Sequence, residues 1–110
     1  MKEFVNTIGY VPFNGMLILN VPESVYPNIG FYVGKEDAWK KIVEERAKEA
    51  INGELTVAAI GEGVTFVGVG DTIIVASHVR LQTLYRTFEG DKFPKMFWAI
   101  REYDILVKVV

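Results

Sequence analysis

The sequence predicts an α+β domain, a mixed and largely antiparallel sheet packed against one main helix and one or two short C-terminal helices. Three observations carry this. Residues 36–51 form the only long segment with clear helical spacing, short apolar runs rich in β-branched residues lie on both sides of it, and glycine, proline and asparagine punctuate those runs. At 110 residues the chain is expected to be a single domain over 1–110, because a second core would have too few residues to close over itself.

Taken in order, residues 3–7 predict a short strand, and residues 16–21 and 30–33 predict two more. The last two are separated by VPESVYPN, whose prolines and asparagine make a turn-rich connection. In the helix, Ala38, Trp39, Ile42, Val43, Ala47, Ala50 and Ile51 recur at three- and four-residue steps on one face. Lys40, Lys41, Glu44, Glu45, Lys48 and Glu49 take the solvated face, and pairs such as Glu44 with Lys48 add only a few tenths of a kcal/mol each. Asn52-Gly53 supplies a left-handed stop. A strand is expected over 55–60.

Residues 61–81, GEGVTFVGVGDTIIVASHVRL, set four glycines ahead of an apolar run that holds the only histidine. A dinucleotide fingerprint would need a third glycine where Phe66 stands and a helix opening in the loop, so the segment predicts a hairpin instead. Its arms are 64–69 and 72–81, and its turn is Gly70-Asp71, with Gly supplying the positive φ and Asp tolerating it. Gly68 is expected to mark a bulge or a close backbone approach. Leu81, Leu84, Tyr85 and Phe88 fit a helical turn while TLYRTF also fits an extended segment, and both readings stay open, with helix preferred. Phe93, Met96, Phe97 and Ile100 repeat at helical spacing after Pro94, predicting a short helix over 94–101. Residues 103–110 predict a terminal strand, with Ile105, Val107 and Val109 on one face. Trp39, Phe93, Phe97 and Trp98 are expected in the core between helices and sheet, not on a platform for stacking bases.

Composition narrows the function classes. Half the residues are apolar and the net charge is −2, so non-specific duplex nucleic-acid binding through broad phosphate neutralisation is not expected, although a local basic patch is compatible with that charge. Cysteine is absent, which removes disulfides and thiolate metal sites and suits a reducing cytoplasm. No leader-like or membrane-length apolar run is present, so a cytoplasmic protein without membrane contact is expected. A single glutamine, few serines and a Lys/Glu-rich helix match thermophile usage.

Few residues announce chemistry. His78 is the one side chain with an unperturbed pKa near neutrality, so any imidazole acid–base step must use it. Glu62, Asp71 and Asp91 are scattered, and no metal site or cofactor is expected. Neither Ser24 nor Ser77 lies in a nucleophile elbow. Arg80, Arg86 and Arg101 are candidates to grip an anion together with the backbone amides of the Gly61-Glu62-Gly63 loop.

Several stretches, in this order, resemble the small ring-nuclease family of archaeal viruses and mobile elements, a type III anti-CRISPR group: FVNTIGYVP near the start, KEDAWKKIV at the first helix, AAIG at a strand end, GDTIIVA with the later RL at the hairpin, and EYDILVKV at the closing strand. In that family a catalytic histidine and then a helix follow the Ala-Ile-Gly, whereas here Glu62 stands in that place and the chain runs on into the predicted hairpin. The resemblance implies a homodimer that holds cyclic tetra-adenylate across its interface without metal, and it carries over Asn6, Thr7, Gly61 and Glu62 as ligand contacts. The expected ligand-binding set is therefore Asn6, Thr7, Gly61, Glu62, Gly63, His78 and Arg80, with no catalytic residue assigned. The leading expectation is a viral or plasmid-borne homo-oligomeric binding protein, a dimer, for an anionic small molecule, a cyclic oligonucleotide or a protein. One alternative is a metal-independent phosphodiesterase using His78 or Glu62. The other is a structural or assembly protein using a sheet edge or the aromatic C-terminal region.

Overall fold

The computed structural model describes residues 9–77 and 79–110, so the strand expected over 3–7 lies outside the described residues. The fold is α+β: among the described residues six strands form one sheet in the order β4-β5-β1-β2-β3-β6, where β1 is Met16–Asn20, β2 Leu55–Ile60, β3 Thr72–Val75, β4 Gln82–Arg86, β5 Lys95–Arg101 and β6 Ile105–Val109. Every ladder is antiparallel. The main helix, α1, is Glu36–Ala50.

The sheet is curled, and the chain itself requires it. Flat, β5 and β6 would lie four strand spacings apart, about 19 Å. Only the 3₁₀ turn Glu102–Asp104 joins them, and the steps from Arg101 to Ile105 reach about 14 Å at full extension. β2 forms the corner. Its first residues, Leu55 and Thr56, pair with Ile73 and Thr72 of β3, while Val57, Ala59 and Ile60 pair with Leu19, Ile18 and Leu17 of β1.

Burial divides along the two faces of the sheet. Leu17 and Leu19 of β1, Val57, Ile73, Val75, Met96, Trp98 and Ile100 form the main core with Trp39, Val43 and Ala47 of α1. Ile18, Ala58, Ala59 and Phe97 form a smaller cluster with Tyr10, Leu84 and Phe88. Trp39, Phe93 and Trp98 thus sit where expected, whereas Phe97 faces the smaller cluster, away from the helix.

The helix appears as its spacing predicts, but it stops differently. Neither Asn52 nor Gly53 has positive φ; the Asn52 and Gly53 amides instead donate back to Glu49 O and Ala50 O at 3.4 and 3.1 Å. Residues 30–33 are not a strand. The Asn28 side chain accepts the Gly30 amide at 2.9 Å and starts a 3₁₀ turn, Ile29–Phe31. Residues 94–101 are not helix, and the open choice over 81–88 resolves to strand β4. The expected C-terminal helices reduce to the Glu102–Asp104 turn.

The hairpin expectation also changes. Residues 64–69 form no strand, and β3 stops at Val75, short of residue 81. The turn at Gly70-Asp71 nevertheless exists, with φ +93° at Gly70 and no positive φ at Asp71. The Asp71 carboxylate accepts the Gly68 amide at 2.9 Å. The partner of β3 is β2: Val57 N donates to Asp71 O and Gly70 N to Val57 O, both at 2.9 Å. Val64 and Val67 satisfy their apolarity by dropping into the main core from the intervening loop. A Cβ on Gly68 would meet nothing within 4 Å, so no close approach occurs there.

Two tyrosines fasten loops and helix to the sheet. Tyr26 donates to Met96 O at 3.2 Å and accepts Met96 N at 2.9 Å, while Tyr85 donates to Glu44 Oε1 of α1 at 2.7 Å. Burial first, and for Tyr85 then the Glu44 carboxylate, raise both phenols above the ordinary value of 10.0. A raised value in the folded state means that their contribution is complete below about pH 10 and is lost as pH climbs through the folded values. The thermal midpoint is therefore expected to fall from about pH 10 upward and to fall less steeply in Tyr85→Phe. An equally steep fall in the variant would remove Tyr85 as the cause. Among the described residues no helix is long and apolar enough to cross a membrane.

Candidate functional site

The short connection that curls the sheet also gathers neighbouring loops. The Glu102 amide donates to Gly15 O at 3.0 Å, and the Ala76 amide donates to Asp104 O at 3.0 Å. The Glu102 carboxylate accepts the amides of Thr65 and Phe66, both on Oε2 at 2.8 Å. Two successive backbone amides converging on one oxygen are an anion cradle, and here the chain's own carboxylate fills it. The anion is internal, provided by the 3₁₀ turn, and the amides that take it are those of Thr65 and Phe66, not those of the Gly61-Glu62-Gly63 loop. Glu102→Ala is expected to lower stability by about 1–2 kcal/mol, since both bonds are charge-assisted but exposed. Hydrogen exchange at the Thr65 and Phe66 amides should accelerate with it; unchanged exchange at those two amides would contradict the contact.

Of the expected ligand-binding residues, Asn6, Thr7 and His78 lie outside the described residues. The other four are not brought together. Gly61 is buried, its amide donating to Met16 O at 2.8 Å, and a Cβ there would strike the carbonyl oxygens of Pro12, Phe13 and Met16. Gly63, with φ +85°, faces Asn14, whose Oδ1 would lie 2.7 Å from an added Cβ. The close approach that these glycines permit is thus taken by residues 12–16 of the same chain. Glu62 is exposed at the rim of a shallow hollow of about 420 Å³ with Val11, Pro12, Phe13 and Asn14.

Arg80 lies in a different hollow, about 410 Å³, shared with Gln82 at the start of β4, Arg101 at the end of β5, and Tyr103 and Asp104 of the 3₁₀ turn. Arg101 Nη1 donates to the Tyr103 hydroxyl at 2.7 Å, and its guanidinium carbon lies 5.7 Å from that ring. Both contacts restrict Arg101 without neutralising it. Among the described residues Asp104 is the only carboxylate in the lining, and no ion pair joins it to either arginine. Arg86, grouped with these two by sequence, is elsewhere, between the rings of Tyr10 and Phe88 at 5.0 and 5.9 Å.

Two other hollows are less suited to an anion. One of about 450 Å³ has its cation engaged, Lys95 Nζ lying 3.2 Å from Glu23 Oε1. The other, about 350 Å³ between α1 and β5, is floored by Met96 and Trp98 and carries Glu44 beside Lys48 at its rim. No group of three or more acidic, histidine or cysteine side chains among the described residues could hold a metal ion. The sequence groups Arg80 with Arg101, but Gln82 and Tyr103 beside them carry no sequence signal, because 94–101 reads as a helix and 81–88 as a helical turn. Compared with protein-family models, characterised proteins and solved structures, the chain shows no match.

Proposed function

We propose that the protein is a homo-oligomeric binding module for an anionic ligand held between Arg80 and Arg101. The observation that supports this reading is the hollow in which two guanidinium groups share a lining with a single carboxylate and no ion pair among the described residues. Guanidinium groups bind carboxylate or phosphate through paired N–H donors, and Gln82 and Tyr103 add polar groups at the same opening. The hollow is in the size range of small-molecule sites. Cyclic tetra-adenylate is one ligand of this chemistry, suggested by the family resemblance of the sequence.

Equilibrium titration with inorganic phosphate, linear oligoadenylates and cyclic tetra-adenylate tests the reading. At least one should saturate, and Arg80→Ala and Arg101→Ala should each weaken it about tenfold or more, near 1.4 kcal/mol. Added salt should weaken it further. Absence of saturation by every probe, or affinity indifferent to both arginines, overturns it. Chromatography of the recovered ligand separates a binder, which returns it intact, from the phosphodiesterase alternative.

A further inference from the structure

The two outer strands of the sheet are unlike. β4 ends the sheet with Gln82, Thr83, Tyr85 and Arg86; Tyr85 is tied to Glu44, and Arg86 is held between two rings. β6, the other edge, reads ILVKV. An edge strand presents a row of unsatisfied backbone donors and acceptors, and natural proteins guard such edges with charge or proline. The one charge in β6, Lys108, does not guard it: Nζ donates to Phe66 O at 3.0 Å and lies 5.2 Å from the Phe66 ring.

Side-chain burial also runs out at this edge. Directly opposite residues of an antiparallel ladder share a face, so Lys108 lies on the core side with Ile73, and Val107 and Val109 lie on the outer side with Ile74 and Thr72. Val107 and Val109 are 44% and 37% exposed. The ladder passes from Ile74↔Val107 to Val75↔Ile105, leaving Leu106 as an extra, 64% exposed residue, so among the described residues the regular free edge begins at Val107.

We propose that β6 pairs antiparallel with β6 of a second copy of this chain, about a two-fold axis through Val109. This rests on the homo-oligomer reading and names its surface. A second copy is the occupant that the edge itself specifies, because an antiparallel edge is its own complement under two-fold rotation. The extra residue Leu106 disfavours an axis through Val107, whose pairing would run into the bulge, and charge decides between Lys108 and Val109. Centred on Lys108, the pairing would set two ammonium groups opposite each other; centred on Val109, it sets Lys108 opposite Val110 of the second copy and joins both valine rows on the outer face. Net charge of −2 opposes the approach only weakly. So short a pairing buries less than the roughly 1,600 Å² of a standard interface, so association is expected to depend on concentration.

Light scattering on the full chain from about 1 µM to about 1 mM should show the mass rising from 12.4 kDa toward twice that. Val109→Lys should raise the dissociation constant at least tenfold. Because the chain has no cysteine, Val109→Cys reports the axis directly: directly opposed Cα atoms lie within disulfide range, and mild oxidation should yield covalent dimer, while Thr83→Cys on β4 should yield none. Monomeric mass throughout overturns both the homo-oligomer reading and the β6 interface. A dimer indifferent to Val109→Lys and not trapped by Val109→Cys overturns the interface alone.

Discussion

Gly61→Ala is expected to lower stability by about 3 kcal/mol, because the added methyl enters space occupied by backbone. An ideal Cβ would lie 2.9 Å from the carbonyl oxygens of both Pro12 and Met16 and would overlap that of Phe13. None of these is the end of a flexible side chain that can swing aside. The Gly61 amide is also bonded to Met16 O, and the Gly15 amide to Glu62 O, both at 2.8 Å, so separating the two segments breaks the closure where β1 begins and β2 ends. Gly68→Ala is the matched control. It has open space and no positive φ, and it is expected to be neutral or to stabilise by about 0.4–1 kcal/mol through the unfolded chain. Urea unfolding should therefore show a large loss for Gly61→Ala and none for Gly68→Ala. If they unfold alike, the packing of residues 12–16 over Gly61 is not what holds this corner.

The elements legible in the sequence were those whose spacing admits one structure. α1 has an apolar stripe at helical steps, and β1 and β2 are short apolar runs flanked by Gly, Pro and Asn. β5 reads as a helix for a specific reason. It is buried on both faces, Met96, Trp98 and Ile100 in the main core and Phe97 in the smaller cluster, so its alternation carries no polar half. Phe93, Met96, Phe97 and Ile100 then match helical spacing by coincidence. The 64–69 loop misleads in the opposite way. Its valines are β-branched and apolar, but its amides at Thr65 and Phe66 go to a carboxylate 37 and 36 residues away, a partner no local pattern announces.

The candidate site was legible only as residue types. Arg80 and Arg101 were both singled out, but which arginines meet depends on the three-residue turn that brings β5 beside the segment after β3. The glycine spacing predicts room for a ligand, and the chain fills that room itself with residues 12–16 and the Glu102 carboxylate. A glycine pattern reports that something approaches the backbone closely without identifying it.

Trp39→Ala is expected to remove about 3–5 kcal/mol, a large part of the stability of a domain this size. The indole is 2% exposed, stacks on Tyr26 at 5.7 Å and 19°, and meets Phe93 at 5.1 Å, so it joins α1 to both the loop after β1 and the approach to β5. Tyr26 is itself held by both backbone groups of Met96, so the cavity cannot collapse freely on that side. Trp39→Phe separates packing from polarity. Indole Nε1 is buried with no hydrogen-bond partner among the described residues, and a buried unsatisfied donor costs about 1–3 kcal/mol. Phenylalanine loses part of the stacking area but also removes that donor, so its net cost is expected to stay below about 1.5 kcal/mol. The thermal midpoint should fall by roughly 15 °C or more for alanine and by less than half of that for phenylalanine. Equal losses in the two variants would mean that the indole N–H is bonded in solution, and that the burial of α1 depends on that bond as much as on the ring.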